Sequence, residues 1–454
     1  MKILMTGGTG LIGQALGQKL TELGHEVVVV SRSKQKAKET LTYLADVIEC
    51  DLNTTSLQKT NFNGIDAVVN LIGETIDGRW TAAKKENILR SRVATAKHLL
   101  ENCPLSVKTV LTASAQGFYG DRADEELTED SSVGTDFLAQ VCQAWEDVFD
   151  SKIRSSGQQR LVILRFGLVL SRKGGVLNKL VHLFQKNLGA VLGNGRQWMS
   201  YISLQDLVSL IIEGLKNEQY VGVINAVNSH PVTNEQFTKL LAQQLDTMQL
   251  PAVPQFVLKT VLGEMSALVL SSTRVKSKKL KQLKFQFNDV SLEDFLKSEL
   301  EIYRRHESVY LAEQFVPAPV ESVFSFFAEA RNLEHITPEF LKFKIVKMST
   351  EQIQQGSLID YKLKVHGLPI GWRTHIDSWN PPHTFSDTQT KGPYKLWHHT
   401  HKFRPVKGGT LMIDEVRYKV PFKALGSLVA GSFVESDIQT IFDYRRKVIA
   451  QTTF

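Results

Sequence analysis

Short β-branched hydrophobic runs alternate with amphipathic stretches through the first 230 residues of the chain. The amphipathic stretches follow the three- and four-residue spacing of helices, as in Gly13–Leu23, Arg92–Asn102 and Phe137–Ile153. Apolar strands that are separated by helices are typical of a parallel sheet covered on both faces. The predicted strands are Lys2–Met5, Val27–Val30, Val47–Glu49, Ala67–Leu71, Thr109–Thr112, Leu161–Arg165 and Val223–Asn225.

The pattern changes at about residue 231 and again near Leu300–Arg304. Residues 231–300 are predicted to be mostly helical, and their lysines from Lys276 to Lys284 are interpreted as a solvated face. From residue 303 alternating strands precede one long helix, which is the order of an α+β domain. The helix carries a stripe at Val434, Ile438, Ile441, Arg445 and Val448, and the predicted strands are Leu358–Val365, Trp372–Trp379, Tyr394–Phe403 and Thr410–Val420.

These patterns predict three regions. Residues 1–230 form a doubly wound parallel sheet of Rossmann type with elements of a substrate cleft, and residues 231–300 form a small helical subdomain of the same unit. Residues 303–454 form a separate α+β domain. A chain of 454 residues is long enough for two or three such units.

Composition narrows the function classes. Apolar residues make up 42% of the chain and charged residues 22%, as in an ordinary globular protein. The formal charge of +7 is small for this length and gives no case for nucleic-acid binding. No uncharged apolar stretch reaches about 18 residues, so no membrane span is expected. Three cysteines without CxxC spacing favour reduced thiols and a cytoplasmic location.

A glycine-rich loop follows the first predicted strand. Residues 6 to 13 read TGGTGLIG, which places Gly7, Gly10 and Gly13 three residues apart at the start of a helix. Gly7 permits the tight turn, Gly10 lets backbone N–H groups approach a pyrophosphate, and Gly13 allows close packing. The positive end of the helix dipole then faces the anion. The loop therefore predicts a dinucleotide-binding site.

The end of the second strand indicates which dinucleotide is bound. NAD sites usually carry a carboxylate here, whereas this chain has Ser31 and Arg32, which can hydrogen-bond the 2′-phosphate of NADP. We therefore predict NADP(H) over NAD(H), and the alternative is that Arg32 is an ordinary exposed arginine. Asp51–Leu52 follows the third strand and can contact the adenine, and Leu71–Gly73 ends the fourth strand beside the cofactor.

Several further segments complete a family pattern in the order of the chain. With the GxxGxxG spacing they resemble the extended short-chain dehydrogenase/reductase superfamily, and more narrowly an atypical branch labelled epimerase family, similar to NAD-dependent epimerases and dehydratases. The resemblance covers residues 1–298, including the C-terminal extension of this branch. The segments that carry it are Asn70–Glu74, Arg79–Trp80, Ser91–Arg92, Ser114–Gly120, Trp145–Glu146, Leu164–Leu170, Gly193–Ile202 and Leu262–Met265. It implies cofactor contacts at Thr6, Gly7, Gly10, Leu11, Ile12, Gly13, Ser31, Arg32, Asp51, Leu52, Leu71, Ile72, Gly73, Glu74 and Arg165.

One part of the superfamily pattern is missing. Its catalytic pair is Tyr-x-x-x-Lys on a helix, in which the lysine lowers the pKa of the tyrosine. If Glu146 aligns with the glutamate that commonly follows, Leu138 takes the tyrosine position and Cys142 the lysine position. Ser114 remains where the resemblance implies a catalytic serine. Tyr119 is either a substitute phenol or an aromatic residue packed beneath the cofactor.

A substrate cleft is predicted from four further residues. Arg196 suits an anionic group, and Trp80 and Trp198 suit a flat apolar one. Gln197 lies between the arginine and the second tryptophan, and packing in the core is an equal alternative for Trp198. Glu146 is interpreted as a structural hydrogen-bonding residue rather than a catalytic one.

The last 150 residues resemble the START-like, or SRPBCC, helix-grip superfamily. The resemblance rests on the predicted strand Val309–Phe315 and on the motif Pro319–Phe327, and it implies an apolar cavity for a lipid, a polyketide or another hydrophobic ligand. Such a cavity can be lined by Trp372, Trp379, Tyr394 and Trp397.

Three histidines, His398, His399 and His401, lie close together on one predicted strand. Alternation places His399 and His401 on one face and His398 on the other. No cysteine completes a ligand set nearby, so no metal site is predicted. A surface strand of polar residues is the preferred interpretation.

Three functions remain open at this point. The first is an NADP(H)-dependent oxidoreductase or epimerase-like enzyme that acts on an unknown small molecule without the Tyr-x-x-x-Lys pair. The second is a non-catalytic NADP(H)-bound sensor or regulatory protein, for which the resemblance also suggests cell division. The third is a lipid- or polyketide-binding protein with a redox partner domain. The chain can be a monomer or a homodimer.

Overall fold

A computed structural model describes residues 1–153, 157–303, 307–420 and 424–454, with the side chains of residues 424–433 left out. Two compact units are present: Met1–Lys34 with Ala45–Glu301, and Gln35–Leu44 with Ile302–Phe454. Arg304, at the predicted boundary, lies outside the described residues. Within the described ranges, no helix combines the length and hydropathy needed to cross a membrane.

The first unit is built on a seven-stranded sheet in which every neighbouring pair is parallel. The first strand lies inside the sheet between the second and fourth strands, so the chain winds outward in both directions, as the Rossmann prediction requires. The strands in sheet order are Gly222–Ala226, Arg160–Phe166, Thr109–Ala115, Ala67–Asn70, Lys2–Thr6, Glu26–Ser31 and Asp46–Glu49.

Helices connect these strands, and their apolar faces are buried. The helix predicted at Arg92–Asn102 begins ten residues earlier, at Ala82, because Thr81 accepts a hydrogen bond from the backbone N–H of Lys84 and caps it. Its first turns are polar, so the hydrophobic spacing starts later than the helix. The longer helices are Leu11–Glu22, Ala82–Leu100, Phe137–Ile153, Gly175–Gln185, Leu204–Lys216 and Asn234–Gln244. The short helix Lys34–Thr40 follows the second strand along the chain, but from Gln35 it is grouped with the second unit.

The final part of the first unit contains short helices and short strands. Three two-stranded pairs join it to earlier segments: Leu250–Val253 with Ala190–Leu192, Arg274–Val275 with Glu126–Leu127, and Val232–Thr233 with Trp198–Met199. A fourth two-stranded pair, Leu168–Ser171 with Tyr201–Ser203, lies between earlier segments. The helices of this part are Gln255–Leu262, Ala267–Leu270, Lys278–Gln282 and Leu292–Glu299.

The second unit contains a seven-stranded antiparallel sheet and a long final helix, Ala424–Gln451. Two strands of this sheet, Lys344–Met348 and Thr384–Lys391, were not predicted. The second of them consists largely of small polar residues and shows no apolar alternation. Helices Val320–Ala328 and Ala330–His335 follow the first strand. In sheet order the strands are Ser308–Val316, Gly409–Lys419, Leu396–Val406, Thr384–Lys391, Leu368–Asn380, Leu358–Val365 and Lys344–Met348.

The buried stripe of the final helix is shifted from the predicted one. Ile438, Phe442, Arg445 and Ile449 are buried, whereas Ile441 and Val448 are only half-buried. Apolar residues occupy adjacent positions along this helix, so spacing alone does not identify which of the two rows faces the sheet. The helix-grip architecture is confirmed.

Candidate functional site

The glycine loop has the backbone shape that phosphate binding requires. Gly7 has a φ of +69°, and a Cβ atom there would lie 2.7 Å from the backbone oxygen of Leu71. A Cβ atom on Gly13 would lie 2.3 Å from the backbone oxygen of Gly7, so the helix packs directly on the loop. Gly10 is the N-cap residue and has no side chain to cap the helix, so it makes no side-chain bond to the first amide groups, those of Leu11, Ile12 and Gly13.

Hydrogen bonds connect the strand ends beside this loop. The Thr6 hydroxyl donates to the Asn70 side chain at 2.7 Å, and Asn70 donates to Thr112 at 3.0 Å. The backbone N–H of Leu71 donates to the Thr6 hydroxyl at 3.2 Å. The bonds from Thr6 to Asn70 and from Asn70 to Thr112 therefore link three neighbouring strands at the edge where parallel sheets bind ligands.

Arg32 and Asp51 follow the ends of two adjacent strands. Ser31 pairs with Glu49 in the parallel ladder, and Arg32 is exposed just beyond it. Hydrogen bonds from Asn53 lower the pKa of Asp51, and the charge of Arg32 adds to this effect. Leu52 is buried. The predicted adenosine-contacting residues thus come together at one end of the sheet.

Two motif segments that are distant in sequence are joined beside the cleft. The backbone N–H of Glu74 donates to Ser91 at 3.0 Å, and Arg92 donates to the backbone oxygen of Glu74 at 3.1 Å. The Arg92 guanidinium lies against Gly73, where a Cβ atom would come within 3.1 Å of it. The Glu74 carboxylate forms an ion pair with Lys84 at 2.8 Å, whereas Arg92 hydrogen-bonds the backbone oxygen of Glu74. Arg92 brings a positive charge to the cleft wall, a role that we did not predict.

The predicted catalytic residues belong to a buried polar network. Ser114 donates to Glu146 at 2.5 Å, and Arg165 donates to both carboxylate oxygens of Glu146 at 2.9 and 2.7 Å. Arg165 also donates to the Tyr119 hydroxyl at 3.0 Å, and Tyr119 donates to Asn225 at 2.7 Å. We call Ser114, Tyr119, Glu146, Arg165 and Asn225 the Glu146 network.

This network bears on the two alternatives for Tyr119, whose role stays a prediction. Its side chain is 0% exposed and burial raises its pKa, so the geometry favours a packed aromatic residue. The Arg165 side chain is committed to Glu146 and Tyr119, and its role as a cofactor contact stays a prediction. Ser114 lines the cleft, but its hydroxyl hydrogen is directed at Glu146.

Leu138 and Cys142 lie on helix Phe137–Ile153 and line the same cleft as Ser114. Burial raises the pKa of the Cys142 thiol to about 12, and the nearby charge of Glu146 adds to this shift. The thiol therefore stays protonated at neutral pH. Neither side chain offers the proton chemistry of a tyrosine–lysine pair.

The cleft has a volume of about 600 Å³ and mostly apolar walls, to which Ile12, Leu71, Ile72 and Gly73 contribute. Trp80 and Trp198 line it, and their indole N–H groups donate to Ile76 and Asp124 at 2.9 and 2.8 Å. Gln197 also lines it, but its amide donates to two backbone oxygens at 2.9 and 3.0 Å. Arg196 is exposed and is not part of the wall of this cleft.

The second unit encloses a larger apolar cavity of about 930 Å³. Three of the predicted aromatic residues, Trp372, Tyr394 and Trp397, line it. Trp379 packs instead against Phe324 and Phe385 in the core. Its position near the strand end turns it toward helix Val320–Ala328 rather than toward the cavity.

The interpretation of the histidine strand as a polar surface strand is wrong for two of its members. His399 and His401 are each 6% exposed and line the cavity, while His398 is half-buried on the other face and contacts Thr388 at 2.8 Å. Buried Asp414, on the adjacent strand, contacts both cavity-facing rings. A buried carboxylate partner makes the burial of these polar rings tolerable.

Burial shifts the pKa values in this cluster. It raises the pKa of Asp387 to about 6 and lowers that of His399 to about 4. Burial also acts to raise the pKa of Asp414, but the two adjacent histidines hold it well below its usual range. Burial likewise lowers the pKa of His401, although the adjacent Asp414 acts in the opposite direction.

Asp414 and Arg445 were missed as site residues although their sequence positions carried a signal. Asp414 is in phase with the inward-facing Met412 and Val416, and Arg445 lies within the apolar stripe of the final helix. A charged residue in phase with buried apolar ones indicates a buried polar partner.

The fold and the loop together define a Rossmann-type dinucleotide-binding unit of the short-chain dehydrogenase/reductase kind, followed by a helix-grip unit. Residues 3–226 match the NAD dependent epimerase/dehydratase family, and residues 253–299 match a domain of unknown function, DUF1731. Residues 316–442 match the polyketide cyclase/dehydrase and lipid transport family. The chain belongs to the epimerase family.

Relatives and solved structures support this assignment. The chain is 36% identical over 303 residues to the Arabidopsis thaliana epimerase family protein SDR39U1 homolog, chloroplastic, covering 66% of this chain and 86% of the relative. It is 34% identical to Bacillus subtilis epimerase family protein YfhF, covering 64% and 96%. The crystal structure of human epimerase family protein SDR39U1 with NADPH superposes with a TM-score of 0.58 at 28% identity, covering 66% and 100%.

Proposed function

We propose that the first unit binds NADP(H) and that the protein is an oxidoreductase or epimerase-like enzyme acting on a small molecule in the adjacent cleft. The observation that carries this proposal is the glycine loop, whose backbone leaves no room for a Cβ at Gly7 or Gly13. Arg32 and Ser31 at the neighbouring strand end are suited to the 2′-phosphate. The human relative that was crystallised with NADPH supports the same choice of cofactor.

The residues proposed to hold the cofactor are those around the loop and the three strand ends. The loop amides would bind the pyrophosphate, Arg32 the 2′-phosphate, and Asp51 and Leu52 the adenine side. When bound, NADPH supplies a hydride for the reduction of a carbonyl carbon. The apolar cleft walls with Trp80 and Trp198 favour a flat apolar substrate, and Arg92 favours one that also carries a negative charge or a carbonyl oxygen.

None of the three side chains at the positions of the superfamily's catalytic pair and serine is a strong proton donor for such a reduction. Leu138 cannot donate, the Cys142 thiol is too weak an acid, and the Ser114 hydroxyl donates to Glu146. Water that enters with the substrate would then supply the proton, and turnover would be slow. This observation also favours the second candidate, an NADP(H)-bound sensor without turnover.

The test is a titration of the full chain with NADPH and with NADH, followed by reduced-nicotinamide fluorescence. We expect NADPH to bind at least tenfold more tightly, and Arg32→Ala to remove the preference. Arg331→Ala, which removes an exposed arginine from the second unit, serves as the control. Equal affinity for NADH in the wild type would contradict the assignment of Arg32.

Enzyme and sensor are separated by a second measurement. NADPH oxidation is followed with a panel of carbonyl compounds at saturating cofactor. Oxidation that depends on the added carbonyl supports the enzyme, and tight binding without oxidation across the panel supports the sensor.

We further propose that the cavity of the second unit binds a hydrophobic ligand. Its volume of about 930 Å³ and its aromatic walls suit a lipid- or polyketide-sized molecule. Organic extraction of the purified chain and mass spectrometry of the extract test this. We also propose a cytoplasmic location and the predicted boundaries 1–230, 231–300 and 303–454.

A further inference from the structure

We propose that Asp387, His399 and His401 form a binding site for one divalent transition-metal ion in the wall of the second unit's cavity. The proposal goes beyond the dinucleotide function and does not depend on it. We call these three residues the cavity triad.

Strand pairing brings the triad together. His399 and His401 are two residues apart on strand Leu396–Val406 and face the same side, and Asp387 lies directly opposite His399 on the neighbouring strand. The Asp387 Oδ2 atom is 3.9 Å from His399 Nδ1 and 3.8 Å from His401 Nε2. One ligand atom from each residue lies within 4.8 Å of the others.

These distances are close to those of a loaded site. With metal–ligand bonds of about 2.1 Å, ligand atoms in tetrahedral or octahedral geometry are separated by about 3.0–3.4 Å. Side-chain rotations that bring the atoms about 1 Å closer therefore complete the site.

Asp414 orients both rings toward this point. Its Oδ1 atom accepts a hydrogen bond from His399 Nε2 at 3.0 Å, and His401 Nδ1 lies 2.7 Å from the same oxygen, although without regular hydrogen-bond geometry. Metal-binding histidines usually place their second ring nitrogen against a carboxylate in this way. The tautomers that these contacts favour leave lone pairs on His399 Nδ1 and His401 Nε2.

Three acceptor atoms consequently converge on one small volume. With the tautomers favoured by Asp414, the two ring lone pairs and the Asp387 carboxylate oxygen face one another across 3.8–3.9 Å. Acceptors buried in mutual contact are unfavourable unless a cation lies among them. A metal ion satisfies all three at once.

The charges around the triad fit a divalent ion. Asp387 and Asp414 contribute −2 and buried Arg445, whose Nη1 is 3.7 Å from Asp414, contributes +1, which leaves −1 with neutral histidines. Two imidazole nitrogens and one carboxylate oxygen suit Zn²⁺, Fe²⁺ or Co²⁺ better than Mg²⁺ or Ca²⁺, which prefer oxygen ligands. Three protein ligands leave at least one coordination position facing the cavity.

The experiment uses the full chain, free of any histidine tag and stripped with a chelator. Zn²⁺ alone is titrated by calorimetry, and Co²⁺ alone is titrated by visible absorption. We expect one tight site per chain, and we expect Asp387→Asn and His399→Gln each to weaken it at least tenfold. His398→Gln, which changes the ring on the opposite face of the same strand, should leave the affinity unchanged.

Two outcomes would overturn the proposal. One is a wild-type chain that takes up no stoichiometric ion, and the other is a site whose affinity survives both triad substitutions. If His399→Gln does not fold, the isosteric Asp387→Asn and X-ray absorption of the wild-type Zn²⁺ adduct decide the matter. The adduct must show scattering from two imidazole rings.

Discussion

The two units each contain a buried cluster of charged residues, but the clusters are satisfied to different degrees. In the Glu146 network of the first unit, both carboxylate oxygens of Glu146 and the donors of Arg165 have hydrogen-bond partners. In the second unit, acceptors of the cavity triad face one another. Among the residues that the structure describes, Arg445 Nε and Nη1 and Asp414 Oδ2 have no regular hydrogen-bond partner.

This difference separates a structural role from a binding role. A buried ion pair in which each guanidinium nitrogen and both carboxylate oxygens have hydrogen-bond partners stabilises one arrangement of the fold. A buried cluster with converging acceptors is costly to maintain, and its natural complement is a bound ion or ligand. The Glu146 network therefore fixes the side chains near the position of the superfamily's catalytic pair. The cavity triad instead leaves acceptor atoms available to a ligand within an apolar cavity.

Breaking the Glu146 network should have the largest effect on stability. Glu146→Gln leaves the guanidinium of Arg165 buried without a counter-charge, and we expect the first unit to lose about 3–5 kcal/mol of unfolding free energy. Chemical denaturation followed by circular dichroism measures this loss. Lys278→Met, at an exposed ion pair with Asp130, should change nothing measurable. A loss below about 1 kcal/mol for Glu146→Gln would show that the network is not a structural lock.

The next largest effect concerns the dinucleotide site. Gly13→Ala places a methyl group 2.3 Å from the backbone oxygen of Gly7, so the loop must open. We expect NADPH affinity to fall about 10- to 100-fold, or about 1.4–2.8 kcal/mol, while Zn²⁺ binding by the second unit is unchanged. Gly371→Ala, at a strand position without a positive φ and with no atom within 4 Å of an added Cβ, is the control for glycine substitution as such. Unchanged NADPH affinity would argue against the loop as the phosphate site.

The cavity triad should affect the pH dependence of the unfolding free energy of the metal-free chain. The pKa of His399 is lowered to about 4, so its contribution to stability is lost as pH falls from about 6.5 to about 4. The pKa of Asp387 is raised to about 6, so its contribution has the opposite sign over nearly the same range.

The two contributions therefore partly cancel in the wild type. Asp387→Asn removes one of them, and we expect the unfolding free energy of the second unit to fall by about 2 kcal/mol more than in the wild type between pH 6.5 and pH 4. Thermal unfolding across this range measures the slope. Identical slopes in the two proteins would contradict the assigned pKa shifts.

The smallest expected effect completes the comparison. At pH 8 without metal, Asp387→Asn should change the unfolding free energy by less than about 1 kcal/mol, because an amide can donate to a ring lone pair where the carboxylate could not. Glu146→Gln, the same change in chemical type, is expected to cost several times more. Equal losses of unfolding free energy for the two substitutions would mean that the Glu146 network and the cavity triad contribute to stability in the same way.

Local signals in the sequence predicted much of the architecture. The strand–helix alternation and the spacing of Gly7, Gly10 and Gly13 are patterns of residues that lie close together in the sequence. The structure shows both the alternating elements and the tight glycine loop that they predicted. The replacement of the tyrosine–lysine pair by Leu138 and Cys142 was also visible in the sequence. In the structure both residues lie on the predicted helix and line the cleft.

The polar clusters were not predictable in the same way. Glu146 and Arg165 are 19 residues apart and meet only through packing of a helix on the sheet. Alternation showed that His399 and His401 share a face, but it could not show that this face is the buried one. That requires knowing which strands pair, and strand Thr384–Lys391, which carries Asp387, had no apolar alternation to reveal it.

The most direct test of the account is a calorimetric titration of one full-length sample with NADPH and then with Zn²⁺. We predict one binding event for each ligand, with Arg32→Ala weakening only the first and Asp387→Asn weakening only the second. This result would establish that the first unit carries the dinucleotide site and the second unit an independent ion site. A wild-type chain that binds no NADPH would contradict the central claim, whatever its response to Zn²⁺.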